Sequence, residues 1–345
     1  MASVAEALLV VLLILIIAAV YWAAKRARDI RAGLADWGTR VDPECDDPRQ
    51  NPGACAPMLS GSIGPPPTAN TASSTASGTT SGYDAPTVTY ASRLVGRFIA
   101  YLGSGDASLI VMDGMMVPVL SFAERDLKLA LASTWSSNDG HLAVVAIRGT
   151  KTVEDFRLDL KYHEVRPSNR QVTLVRPATP RLGGDKIIQV HGGMYSAYVS
   201  ARESLFAALP TAITSGGVGS VFITGHSMGS AISYYYALEL AAAYPNLKIT
   251  VVAFAPPRAG DAAFAEDVAA AAKCYSIINL ADFVPSMPWS YMPDMIPPYV
   301  ADEYAHVMPV YSFNNRKADI TACHGTLAYF EGVTAASPPV QIPSP

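Results

Sequence analysis

Ser227 lies in the pentapeptide Gly225-His226-Ser227-Met228-Gly229, a spacing that lets a serine hydroxyl act as a nucleophile. The residues before it, Ser220-Val221-Phe222-Ile223-Thr224, are apolar and β-branched, as a buried strand requires. Residues 230–244 after it read as a helix that stops before Pro245. Strand, G-x-S-x-G and helix in that order form a sharp turn. A side chain at either glycine would crowd the strand or the helix, and the serine is forced into a strained backbone conformation. The strain lifts its hydroxyl above the sheet, and the following helix aims its first N–H groups at the same spot. G-x-S-x-G arises by accident in about one chain in ten of this size, so the flanking strand and helix carry the argument.

A serine nucleophile needs a base, and the base needs an orienting carboxylate. In a strand–elbow–helix setting the chain order is Ser, then Asp or Glu, then His. Asp282 follows the strand-like run Ser276-Ile277-Ile278-Asn279-Leu280-Ala281 and precedes Val284-Pro285, so it is the expected acid. Asp261 is its rival, but its place before a helix beginning at Ala262 makes it an N-cap instead. Two histidines follow Asp282. His306 opens an apolar strand, whereas His324 lies past the last strand, where the base belongs. His226 points to the wrong side for a base, and His191 is expected to pack near the elbow. An oxyanion needs two donors. One is the backbone N–H of Met228. The other is expected from Thr150, in Arg148-Gly149-Thr150, which leaves the strand over 142–147.

The elements that hold these groups alternate. Strands are expected over 130–135, 142–147, 220–224, 249–254, 275–280 and 307–313, with helices over 193–209, 230–244 and 262–272. Alternation of this kind predicts an α/β fold with a mostly parallel sheet. The folded domain is expected over 83–333. Residues 1–30 hold an apolar run and its basic flank. Residues 31–82 form a juxtamembrane stretch and a linker rich in Gly, Ser, Thr and Pro, and 334–345 form a Pro-rich tail.

Composition narrows the classes. Half of the 345 residues are hydrophobic and the net charge is −4, so a large core is available and nucleic acid is not an expected partner. The four cysteines form no C-x-x-C and no His/Cys cluster with zinc spacing, so no metal site is expected. Residues 7–24 carry no charge and as a helix span about 27 Å, close to a bilayer core. A cleaved export signal would place basic residues before the run. Here Lys25, Arg26, Arg28 and Arg31 follow it, which favours an uncleaved single-pass anchor. The same charges put the catalytic domain on the cytoplasmic side. Against that, Cys45 with Cys55, and Cys274 with Cys323, are pairs that could close as disulfides on an exterior face.

With these residues in place, the chain resembles the class 3 lipase family of the α/β-hydrolase fold. Val144 to Thr150 is similar to the family's oxyanion strand and loop, and Glu154-Asp155-Phe156 through Asp159-Leu160 to the D-W-x-x-D-L after it. Val190-His191-Gly192-Gly193-Met194 is similar to its V-H-x-G helix start. Phe254 to Asp261 resembles F-G-x-P-R-V-G-N, Asn279 to Pro288 resembles N-x-x-D-x-V-P-x-x-P, and His324 with Tyr329 matches H-x-x-x-x-Y. Ser230 stands where the family has a second glycine, and the segment after Thr150 is short. The resemblance implies hydrolysis of glycerolipid acyl esters without a cofactor, by a triad of Ser227, Asp282 and His324. Two other readings remain: an esterase for small soluble esters, and an inactive hydrolase fold used for adhesion or scaffolding. Val153, Phe156 and Leu160 share one helical face and suggest a short cover over the acyl pocket, or an ordinary packed surface helix.

Overall fold

A computed structural model describes residues 52–67, 82–123, 130–149, 164–165, 188–216, 219–288, 291–292, 302–318 and 320–343. The main sheet is built from β1 (Val119–Ser121), β2 (Ala132–Ser136), β3 (Leu142–Ile147), β4 (Ser220–His226), β5 (Lys248–Phe254), β6 (Lys273–Asn279), β7 (Val310–Phe313) and β8 (Val340–Gln341). These strands lie side by side in chain order. β3 through β7 run parallel. β1 and β2 add to one edge antiparallel, and β8 adds to the other.

Parallel neighbours cannot be joined by a hairpin, so a crossover must pass over one face of the sheet. Helices supply it. On one face lie α3 (Gly192–Ala207), α4 (Met228–Ala243) and α5 (Ala262–Ala271). On the other lie α2 (Ala85–Ser104) and α7 (Thr326–Thr334). The strands serve both faces by alternation. Val145, Ile147, Ile223 and Val251 pack with Met194, Ile232, Tyr235 and Phe264. Val144, Ala146, Phe222, Val252 and Phe254 pack with Val95, Phe98 and Tyr329. Buried on both sides, the central strands read as nearly continuous apolar runs. This mostly parallel sheet, covered on both faces and carrying an elbow at the end of its central strand β4, is an α/β-hydrolase fold.

Four local results depart from the sequence reading. The strand expected over 307–313 begins only at Val310. Pro309 has no N–H to give to a ladder, and it contributes only its carbonyl, which accepts from Ser276 N at 3.1 Å. The 20-residue helix α2 was not anticipated. Its ends carry ordinary signals: Asp84 caps the N-terminus through Thr87 N, Pro86 sits in the first turn, and Gly105 closes the C-terminus at φ 72°. The third departure is a short helix in the stretch read as juxtamembrane and linker, α1 (Pro52–Leu59). Cys55 and Met58 on it are fully buried and pack with Leu327 and Phe330 of α7. Arg97 of α2 takes the carbonyl of Leu59 at 3.3 Å, which the helix end leaves without an intrahelical partner, and that of Gly61 just beyond the helix at 2.7 Å. At the other end, β8 orders part of the stretch read as a tail by pairing with β7.

Cys55 is disulfide-bonded. Cys274 and Cys323 are free and buried, so the second bridge that the sequence allowed is not made.

Candidate active site

The elbow follows from two close approaches. A Cβ on Gly225 would stand 2.3 Å from Gly229 O, and one on Gly229 would stand 2.5 Å from the carbonyls of Ile147 and Arg148. No side chain fits either gap, so α4 can start against the end of β3 only with glycine at both places. Ser227 between them has φ 58° and ψ −128°, a region that non-glycine residues avoid at a cost of about 1–3 kcal/mol. Its N–H donates to Phe254 O at 2.9 Å. Ser230, in place of a second glycine, bonds Gly225 O at 2.9 Å and Phe254 O at 2.6 Å through its hydroxyl. That side chain thus ties the start of α4 to the ends of β4 and β5.

Asp282 lies three residues beyond the end of β6. Its Oδ2 accepts from His324 Nδ1 at 2.8 Å. The same oxygen accepts from the Tyr329 hydroxyl at 2.8 Å, and Oδ1 accepts from Val284 N at 2.9 Å. Three donors thus fix both carboxylate oxygens, and hydrogen bonds to a charged group contribute about 1.5–3 kcal/mol each. Burial, and then the Asp282 charge, hold the Tyr329 phenol well above its usual pKa, so it remains a donor. Because a carboxylate only accepts, His324 carries its proton on Nδ1, and Nε2 is the basic nitrogen of the ring. His324 ends a short helix, α6 (Ile320–His324), immediately before α7.

The backbone of the His324 segment is held as tightly as its ring. Asn279, the last residue of β6, donates from Nδ2 to Cys323 O at 3.0 Å and to Asn315 O at 2.8 Å. His226 meets His324 O through Nε2 at 2.7 Å. Asp282, His324 and Ser227 are each about 5% exposed or less. Electrostatic contacts among them act in a medium far less polarisable than water.

Met228 opens α4, where the first N–H groups have no intrahelical acceptor. Gly149 runs beside the elbow: a Cβ there would stand 3.0 Å from Ser227 Cβ. Thr150, and the proposed cover over 151–163, lie outside the described residues. Of the rivals, Asp261 is an N-cap, accepting from Phe264 N at 2.7 Å. His306 is drawn to low pKa, about 4, by burial and by Arg258, and it bonds the Pro285 backbone.

Sequence reasoning passed over Asn279 and Tyr329 as chemical groups, although both stand in the quoted motifs. The signal was their position: a polar residue at the end of a buried strand, and a tyrosine five residues past a histidine.

His191 is fully buried, and its Nδ1 accepts from Met194 N at 3.3 Å, capping α3. Burial lowers its pKa from 6.5 to about 4. Between those values the unfolded chain binds a proton that the folded chain refuses, so stability is full above pH 6.5 and falls as pH drops toward 4. The loss is about 3 kcal/mol. Urea unfolding should show this decline, and His191→Asn, which keeps a cap acceptor, should remove its share while the equal share of His306, also drawn to about 4, remains. An equal decline in the variant would assign the acid sensitivity to other groups.

Residues 144–292 match the family model described as Lipase (class 3). "Secreted mono- and diacylglycerol lipase 3" of Gibberella zeae is 33% identical over 112 residues, 31% of this chain and 35% of that protein. "Secreted mono- and diacylglycerol lipase A" of Penicillium cyclopium is 28% identical over 43% of this chain and 47% of its own. "Phospholipase A1 EG1, chloroplastic/mitochondrial" of Oryza sativa subsp. indica is 28% identical over 54% of this chain and 46% of its own. The chain therefore spans between a third and half of the length of these relatives. Among solved structures, the Rhizomucor miehei lipase propeptide complex superposes with a TM-score of 0.46 at 16% identity, over 71% of this chain and 77% of that one.

The expectation of a single-pass anchor with a cytoplasm-facing domain, joined to the membrane by its N-terminal helix, is corrected. Residues 7–24 lie outside the described residues, and among those described no helix is long and apolar enough to cross a membrane. Two of the relatives above are named as secreted lipases. The disulfide at Cys55 belongs to an oxidising compartment rather than to the cytosol. An uncharged apolar run is common to anchors and export leaders, so its length alone did not decide the matter. The match to the class 3 lipase model stands apart from that correction: the matched segment, residues 144–292, spans both the elbow and the acid, and over it the chain is similar to class 3 lipases.

Proposed function

We propose that this protein hydrolyses acyl esters of glycerolipids, mono- or diacylglycerols or phospholipids, through an acyl-enzyme on Ser227. The observation that carries the reading is the Asp282–His324 hydrogen bond beside a strained serine elbow. Ser227 Oγ attacks the ester carbonyl while His324 Nε2 takes its proton. Asp282 keeps the imidazole in the Nδ1–H form and supports the imidazolium that results. The N–H of Met228, with Thr150 as the second donor, stabilises the oxyanion. His324 then returns the proton to the leaving glycerol oxygen. A water molecule deprotonated by the same nitrogen releases the fatty acid and restores the serine.

The names of the relatives support a lipid ester as the substrate class. Titrating the fatty acid released from emulsified monoolein, diolein and phosphatidylcholine, alongside p-nitrophenyl butyrate in solution, tests it. Release from at least one glycerolipid is expected. Turnover of the soluble ester alone would favour a small-ester esterase. No turnover of any substrate and no labelling by a fluorophosphonate would leave the inactive fold as the better reading.

A further inference from the structure

His226 was set aside by the sequence reading because it points away from where a base must act. The structure gives that direction a use. Its Nε2 lies 2.7 Å from the backbone carbonyl oxygen of His324. A carbonyl can only accept, so Nε2 carries the proton and donates it. The two imidazole rings also lie against each other, with centroids 4.7 Å apart, and the His226 ring meets Tyr329 edge-on at 5.8 Å. His226 is 6% exposed, so water competes little for the bond.

What this bond does follows from where its ends lie. His324 closes α6, and the last carbonyls of a helix have no intrahelical donor. Two side chains supply donors here: Asn279 for Cys323 O and His226 for His324 O. Asn279 ties the segment to the strand that leads to the acid. His226 ties it to the residue adjoining Ser227, at the end of β4. The backbone of that end is itself fixed. Ser227 N donates to Phe254 O at 2.9 Å, and the Gly149 Cα approaches so closely that a Cβ there would lie 2.9 Å from His226 O. The imidazole of His324 therefore has two independent supports: Asp282 sets its rotation, and His226 sets the distance of its backbone from the elbow.

We propose that His226 is a positioning residue that fixes the separation of nucleophile and base by holding the carbonyl of His324 from the neighbouring position to Ser227. This rests on the reading of Ser227 and His324 as nucleophile and base. Without the bond, the end of α6 keeps only its Asn279 tie, which holds it to β6 and not to the elbow, while Asp282 still orients the ring. Misplacement of about 1 Å in such a pair costs on the order of a hundredfold in rate. Substrate affinity depends on other surfaces and should be little changed.

The test compares the parent chain with His226→Gln, His226→Asn and His226→Phe. Melting temperature, kcat and KM on p-nitrophenyl butyrate, and the rate of fluorophosphonate labelling are measured for each. A glutamine amide reaches the place of Nε2, an asparagine amide stops a methylene short, and phenylalanine keeps the ring contact without a donor. Expected is a kcat loss of about a hundredfold for the Asn and Phe variants with KM within about threefold, and recovery of at least about tenfold in the Gln variant. Labelling rates should follow the same order. Equal rates in the Gln and Asn variants overturn the proposal, as does failure of both to fold, which would make the position structural. If His226→Phe alone fails to fold, the Gln and Asn pair decides. A parent chain that takes no label and turns over no ester removes the underlying reading, a result distinct from a labelled parent whose variants are all as fast.

Discussion

Replacing Ser227 by alanine is expected to abolish acylation and to lower kcat by about a million-fold, since members of a triad act as a unit. The fold should survive. Alanine places its Cβ where serine has one, and the backbone bonds of the elbow, Ser227 N to Phe254 O and Ser230 N to Ser227 O, do not use the hydroxyl. The strain at φ 58° is retained as well, because it belongs to any residue with a Cβ. A second variant separates chemistry from strain. Ser227→Gly removes the nucleophile and also relaxes the backbone, so it should melt higher than Ser227→Ala while being just as inactive. Mass spectrometry of fluorophosphonate-treated protein reads the first expectation, and differential scanning calorimetry the second. An adduct on the chain in Ser227→Ala would assign the nucleophile elsewhere.

Much of this arrangement was legible in the sequence because it rests on local constraints. Gly225 and Gly229 announce the elbow, since contacts of 2.3 and 2.5 Å to backbone oxygens exclude any side chain. The parallel strands announced themselves by apolar runs that a sheet covered on both faces demands, and Asp261 by its place one residue before a helix. What stayed hidden depends on contacts between distant segments. α1 is held by Arg97 and by the Leu327 and Phe330 side chains, none of which is near it in the chain. The role of Asn279 depends on a carbonyl 44 residues away, and that of His226 on one 98 residues away. Helix α2 is a different case. Its cap, its proline and its terminal glycine are all readable, but it precedes the strand–helix alternation that marks the parallel sheet. The membrane placement failed for another reason. It rested on Lys25, Arg26, Arg28 and Arg31 following an uncharged run, and flanking charge biases the choice between anchor and leader without fixing it.

The loss in His324→Ala should nearly equal that in Ser227→Ala, whereas His306→Ala should remain within about tenfold of the parent. The two histidines both follow the acid in the chain, so only their surroundings separate them. His324 faces a carboxylate that is itself held by Tyr329 and by the Val284 N–H. That partner stabilises the cation formed when the serine proton arrives. His306 faces the Arg258 guanidinium and the Pro285 backbone, and burial with that positive neighbour brings its pKa to about 4. A ring that resists protonation so strongly is a weak base, and a cation formed on it would be repelled rather than supported. Its bond to Pro285 instead braces the loop after Asp282, which Arg258 also grips through the carbonyls of Ser286 and Pro288, each at 2.7 Å. The His306 variant should therefore lose a little stability and little rate. Single-turnover acylation by p-nitrophenyl butyrate in the two variants decides between them. A slower His306→Ala than His324→Ala would exchange their roles and place the base on the loop before β7.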